Sequence, residues 1–223
     1  MKSFADLGLA EPILRAVAAE GYTTPTPIQS AVIPVMMSGK DVLGIAQTGT
    51  GKTAAFVLPL LQRLVAVKQA GSTLMPKSCQ ALILAPTREL AAQILESIRG
   101  YGKFLHLSTA LVVGGARAGP QIRALMPGVD ILVATPGRLN DHLQSKHVRL
   151  DQTQAVVLDE ADQMMDLGFM PQIRDLLARL PRQRQTLLFS ATMPREIRGL
   201  ADQFLNQPQE ISVAPTAKPI ERI

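Results

Sequence analysis

Tryptophan is absent from this 223-residue sequence, aromatics are only 4%, and there is one cysteine, Cys79. A lone cysteine excludes an internal disulfide and a thiolate metal cluster, and Cys79 is expected as a small buried side chain. The three histidines, His106, His142 and His147, show no ligand spacing with Asp, Glu or Cys, which argues against a structural transition metal. With so few aromatics, stacking platforms of the single-strand-binding kind are not expected. No apolar run approaches the roughly 18 residues of a membrane span, and the N-terminus lacks a basic segment followed by an apolar one. Neither a membrane span nor a secretory signal is indicated, so the cytoplasm is the expected location. Charge is sparse at 18% but unbalanced: 23 Lys plus Arg against 18 Asp plus Glu gives +5. That excess favours a polyanionic partner.

What is present is organised around Ala46-Gln47-Thr48-Gly49-Thr50-Gly51-Lys52-Thr53. The short apolar run Val42-Leu43-Gly44-Ile45 precedes it, and a segment of helical periodicity follows from Ala54 to about Val67, with a bend expected at Pro59. A strand, a glycine loop and a helix in that order make a phosphate cradle. The glycines let backbone N–H groups converge on an anion, Lys52 brings charge to the outer phosphates, and the Thr53 hydroxyl is placed for Mg²⁺. The general pattern asks for Gly where this chain has Ala46.

Six further strands are expected at 81–85, 108–113, 131–134, 155–158, 186–189 and 210–213, separated by helices. Helices are expected at about 9–20, 27–37, 87–98, 120–126, 138–143, 171–180 and 194–204, with 68–78 as a surface loop. The strands are short and apolar throughout, which indicates an α/β fold: a mostly parallel central sheet of about seven strands with helices on both faces. Thr26 followed by Pro27 reads as an N-cap and first helical position, placing Gln29 in a first turn, where its amide is either a cap or a reader of a base edge.

The polar motifs all fall just past the carboxyl ends of strands, where open α/β sheets bind ligands. Asp159-Glu160 closes an apolar strand expected beside the phosphate-loop strand. Asp159 suits the hydration shell of Mg²⁺, and Glu160 the attacking water. Asp162 is spaced to reach Ser190-Ala191-Thr192, with a salt bridge or cap as the alternative. Three loops, Pro86-Thr87-Arg88, Gly114-Gly115 with Arg117, and Thr135-Pro136-Gly137-Arg138, each pair a hydroxyl or glycine with an arginine. Such loops grip a phosphodiester backbone without reading its sequence.

In this order and at these intervals the motifs closely resemble the first, RecA-like domain of the DEAD-box ATP-dependent RNA helicases, from Phe4 to about Val213. Asp159-Glu160-Ala161-Asp162 spells the family name, and Ala46 matches the family's own phosphate loop. The resemblance implies that Phe4, Tyr22, Thr24 and Gln29 form the adenine-recognition segment, with Gln29 on the base edge and Phe4 packed on the ring. It implies ATP/ADP and Mg²⁺ held by residues 46 to 53 and Asp159, the metal through Thr53 and, by way of water, Asp159. Catalysis would fall to Lys52, Asp159 and Glu160. RNA would lie on the three arginine loops, and Asp162, Ser190 and Thr192 would couple hydrolysis to strand separation. It also implies a helicase domain over 1–214, the start of a linker over 215–223, and a second RecA-like domain, the arginine-finger donor, absent from this sequence. Bacterial relatives work with ribosome-assembly or RNA-decay proteins, and no residue here chooses between them. A DNA translocase of the same superfamily and a non-catalytic RNA- or protein-binding module are the alternative readings.

Overall fold

A computed structural model describes residues 2–214. Seven strands, β1 (Val42–Ile45), β2 (Cys79–Leu84), β3 (Thr109–Val112), β4 (Val129–Ala134), β5 (Ala155–Leu158), β6 (Gln185–Ser190) and β7 (Gln209–Ser212), form one sheet in the order β3-β4-β2-β5-β6-β1-β7. Every paired strand in it runs parallel. The helices are α1 (Glu11–Ala19), α2 (Pro27–Met37), α3 (Lys52–Gln69), α4 (Arg88–Tyr101), α5 (Ala118–Leu125), α6 (Pro136–Gln144), α7 (Ala161–Asp166), α8 (Met170–Ala178) and α9 (Arg195–Phe204). A 3₁₀ turn at Phe4–Leu7 opens the fold.

Alternation along each strand divides the core in two. On β2, Ala81 and Ile83 join the layer made with α1 to α4, while Leu82 and Leu84 join the layer made with α5 to α9. Covered on both faces, β2, β4, β5 and β6 have no exposed position at all. Gly44 is required on β1 by close approach: a Cβ there would stand 2.5 Å from the ring of Phe189, its register partner on β6. That ring in turn packs on Phe56 of α3, centroids 5.6 Å apart.

Several boundaries differ from the sequence expectation. Helix α3 contains Pro59 and runs to Gln69, two residues past the expected end. Strand β4 begins two residues earlier than its apolar run because Asp130 is satisfied inside the sheet. Its carboxylate accepts from Ser108 N–H at 2.7 Å and pairs with Lys68 at 2.9 Å. Helix α7 was not expected; six residues are too few to show a period. Most consequentially, β5 does not lie beside β1, as the sequence reading had it: β6 stands between them. Cys79 is fully buried with its thiol against Thr153, and burial pushes its pKa up to about 11. Among the described residues no helix is long and apolar enough to cross a membrane.

Candidate nucleotide and nucleic-acid site

The loops at the carboxyl ends of β1 and β5, with α2 and α4, surround a concavity of about 490 Å³. Its floor is the turn between β1 and α3. Gly49 and Gly51 hold left-handed backbone, φ 85° and 82°, which curls the N–H groups inward. Gly51 is needed twice over, because a Cβ there would lie 2.6 Å from the Gln29 amide nitrogen and 2.8 Å from the Thr26 hydroxyl. Thr50 closes the turn by donating to the Gln47 carbonyl at 2.7 Å. Thr53 lines the same pocket in the first turn of α3.

Lys52 Nζ stands 2.8 Å from Asp159 Oδ1 and 3.7 Å from Glu160 Oε1, so the loops of β1 and β5 meet although their strands are not neighbours. Asp159 is fully buried; its Oδ1 meets the Lys52 ammonium, while its Oδ2 has no side-chain partner. A buried carboxylate paired on one oxygen only leaves the other for a ligand to complete. A hard divalent cation with its water shell fits the donor set, with the Thr53 hydroxyl as the second oxygen. Burial raises the pKa of both Asp159 and Glu160, and the neighbouring Lys52 charge opposes the rise. Glu160 also holds left-handed backbone at φ 54°, a conformation rare outside glycine and concentrated at functional positions.

Beyond Glu160 the chain turns into α7 and returns to β6. Asp162 N–H donates to the Ser190 hydroxyl at 3.2 Å, and its Oδ2 accepts from the Thr192 hydroxyl at 3.0 Å and from Thr192 N–H at 3.2 Å. Covalent neighbours and three hydrogen bonds thus connect Glu160 to the Ser190–Thr192 loop.

At the other end of the pocket, Thr26 caps α2. Gln29 Oε1 accepts from Thr26 N–H at 3.0 Å, and Gln29 Nε2 donates to the Gly51 carbonyl at 3.1 Å. The amide thus caps a helix and braces the phosphate loop together, and keeps one donor and one lone pair for a ligand. Tyr22 lines the pocket and is half exposed, while Thr24 is exposed outside the lining. Phe4 is 5% exposed in the main core and is not part of the lining either.

One whole wall was missed from sequence. Leu90, Gln93, Ser97 and Tyr101 of α4 face the cavity, spaced at helical intervals opposite the buried stripe Ala91, Ile94, Leu95 and Ile98. That polar stripe was the available signal. Burial, with Tyr22 and Glu20 nearby, pushes the Tyr101 hydroxyl up to about 12, so it stays a neutral donor.

The three arginine loops sit together on the other half of the edge, at the ends of β2, β3 and β4. Thr87 caps α4, accepting from Leu90 N–H at 3.2 Å. Gly114 N–H donates to the Thr135 hydroxyl at 3.3 Å, and Arg138 donates to the Ala116 carbonyl at 2.8 Å. A Cβ on Gly115, φ 76°, would stand 3.1 Å from the Arg88 guanidinium. Pro86 and Pro136 are buried beneath, Gly137 is half-buried, and Arg117 is exposed at the start of α5. Gln121, unmarked in the sequence, joins them: it donates to the Val113 carbonyl at 2.9 Å and accepts from Arg138 at 3.2 Å and His142 at 2.8 Å.

A profile of the DEAD/DEAH box helicase family matches residues 26–200. The chain belongs to that family. It is 47% identical to "DEAD-box ATP-dependent RNA helicase 30" of Arabidopsis thaliana over 216 residues, 97% of this chain and 36% of that protein. It is 46% identical to "ATP-dependent RNA helicase DeaD" of Escherichia coli K12, across 95% of this chain and 32% of the relative. The solved structure of a DEAD box protein from Methanococcus jannaschii superposes with a TM-score of 0.85 at 36% identity, covering 94% of this chain and 55% of that one. The DEAD-box chain described here spans about a third of the length of these curated relatives, and its fold is the RecA-like one of the family.

Proposed function

We propose that this DEAD-box chain binds ATP and Mg²⁺ in the concavity at the ends of β1 and β5 and an RNA backbone on the β2–β3–β4 loops, and that in the whole protein it couples ATP hydrolysis to local strand separation. The observation that carries this reading is Lys52, at the end of a glycine-braced loop, standing between Asp159 and Glu160, with Asp159 Oδ2 left without a partner. A divalent ion bound there would neutralise charge on the transferring phosphoryl group. Lys52 holds the outer phosphates, leaving its intramolecular carboxylate contacts. Glu160, the more accessible acid, takes the proton of the attacking water. Asp162 passes the consequence to Ser190 and Thr192. Gln29 presents its free donor and acceptor to the base. RNA is chosen over DNA by contacts to 2′-hydroxyls, and the cytoplasm is its place of work.

Useful turnover requires a further domain that closes over the site and supplies an arginine. The test is calorimetric titration with the Mg²⁺ complexes of ADP, GDP and AMP, with Gln29→Ala alongside. ADP-selective binding lost in the variant is the expected result; equal ADP and GDP binding would remove adenine reading, and no binding would overturn the site.

A further inference from the structure

Opposite the motif-bearing edge, at the amino ends of β2 and β5, lies a second concavity of about 490 Å³. Its walls carry Lys77, Lys146, Arg149 and Arg179, over a floor of buried Val148 and Leu150 and the end of α6 at Leu143. Arg149 pairs with Asp151, and Arg179 faces Asp175 at 3.4 Å. Those ion pairs leave Lys77 and Lys146 uncompensated among the described residues; Lys77 Nζ has only the Lys146 carbonyl, at 3.2 Å. Both lysines hold left-handed backbone, φ 63° and 60°. Hydrogen bonds enforce it: Lys77 N–H donates to the Met126 carbonyl, Arg149 N–H to the Lys77 carbonyl at 2.9 Å, and Lys146 N–H to the Leu143 carbonyl. Strained positions this firmly held are kept where the placement of a side chain matters.

We infer that this basic groove is a second contact for the RNA backbone, holding the segment that continues past the Arg138 loop. Helix α6 joins the two places. Arg138 stands in its first turn and Lys146 just beyond its last, and nine helical residues span about 13 Å. The groove carries four cations and one acid, Asp151, beside an apolar floor, which suits the sugar and phosphate of a nucleic-acid chain. The inference rests on the RNA reading above and extends it from one edge of the sheet to the opposite end of the wall.

The test is an amide-resolved NMR titration of the 223-residue chain with a hairpin RNA carrying a single-stranded tail, and with the tail alone. The tail is expected to shift amides at Gly114, Gly115 and Arg138; the hairpin is expected to shift Lys77, Lys146 and Arg149 in addition. The combined variant Lys77→Gln, Lys146→Gln and Arg179→Gln should weaken hairpin binding several-fold, leave ADP binding unchanged, and lower the slope of log affinity against log salt by about two. Shifts confined to the strand-end loops, with the variant indistinguishable from wild type, would overturn the second contact, leave the RNA reading standing and assign the groove to an acidic protein or to nothing. Shifts nowhere would overturn both.

Discussion

At the scale of single residues, two positions are decided by numbers small enough to test. Gly51 is excluded from carrying a side chain by its φ of 82° and by Gln29 and Thr26 within 3 Å of the missing Cβ. Gly51→Ala is expected to lose about 1–3 kcal/mol of stability and to weaken ADP binding at least tenfold, read from a denaturant midpoint and a calorimetric titration. Normal affinity in a stable variant would show that the loop has room to relax. Glu160 is the second. Burial raises its pKa above the ordinary 4.5, and a general base works only when ionised, so activity should rise with pH through the elevated value and level off above it. Glu160→Gln should lower kcat by roughly 10² to 10⁴ while nucleotide affinity holds; a pH profile with its acidic limb at or below 4.5 would assign the base elsewhere.

At the scale of elements, helix α6 joins the arginine loops to a histidine pair. Gln121 accepts from His142 Nε2, which leaves His142 Nδ1 to meet His147 Nδ1 at 3.2 Å. Burial first, then His147 and Arg138, lowers the His142 pKa below its ordinary 6.5, against a smaller opposite pull from Asp141. A histidine kept neutral by folding contributes stability above the unfolded value and loses it as pH falls below that value. Wild type should therefore soften between pH 7 and 5 more than His142→Gln does, measured as the change in urea midpoint; equal changes would clear the pair. The phosphate loop, the acidic quartet and the order of strand and helix are legible in the sequence because each is local: a glycine conformation, a cap such as Thr26-Pro27, an apolar run. The wall of α4 was not read, since Gln93, Ser97 and Tyr101 look like any solvated face until the fold shows what they border. Nor was the place of β6 between β1 and β5, because strand order is set by which crossovers pack best and by no residue in the strands themselves.

At the scale of the molecule, the sheet divides its carboxyl edge between two groups of motifs. The glycine loop and the acidic pair gather at β1 and β5 and the arginine loops at β2, β3 and β4, with β5 and β2 paired at the seam. The Asp162–Thr192 contacts leave from the acidic pair and end on an exposed loop, not on the arginine loops. If the proposed coupling holds, its consequence falls on a surface that this domain leaves uncovered at Thr192. The 223-residue chain is therefore expected to bind ADP yet turn over ATP 10³- to 10⁵-fold more slowly than a chain extended by a second RecA-like domain, the range an arginine finger contributes in related enzymes. RNA should stimulate the longer protein and leave the shorter one unchanged. Thr192→Val in the longer protein, which removes the hydroxyl but keeps the backbone bond to Asp162, should retain RNA-stimulated hydrolysis while losing strand separation. If it loses both in equal measure, Asp162 and Thr192 serve to position Glu160 and carry no message beyond it.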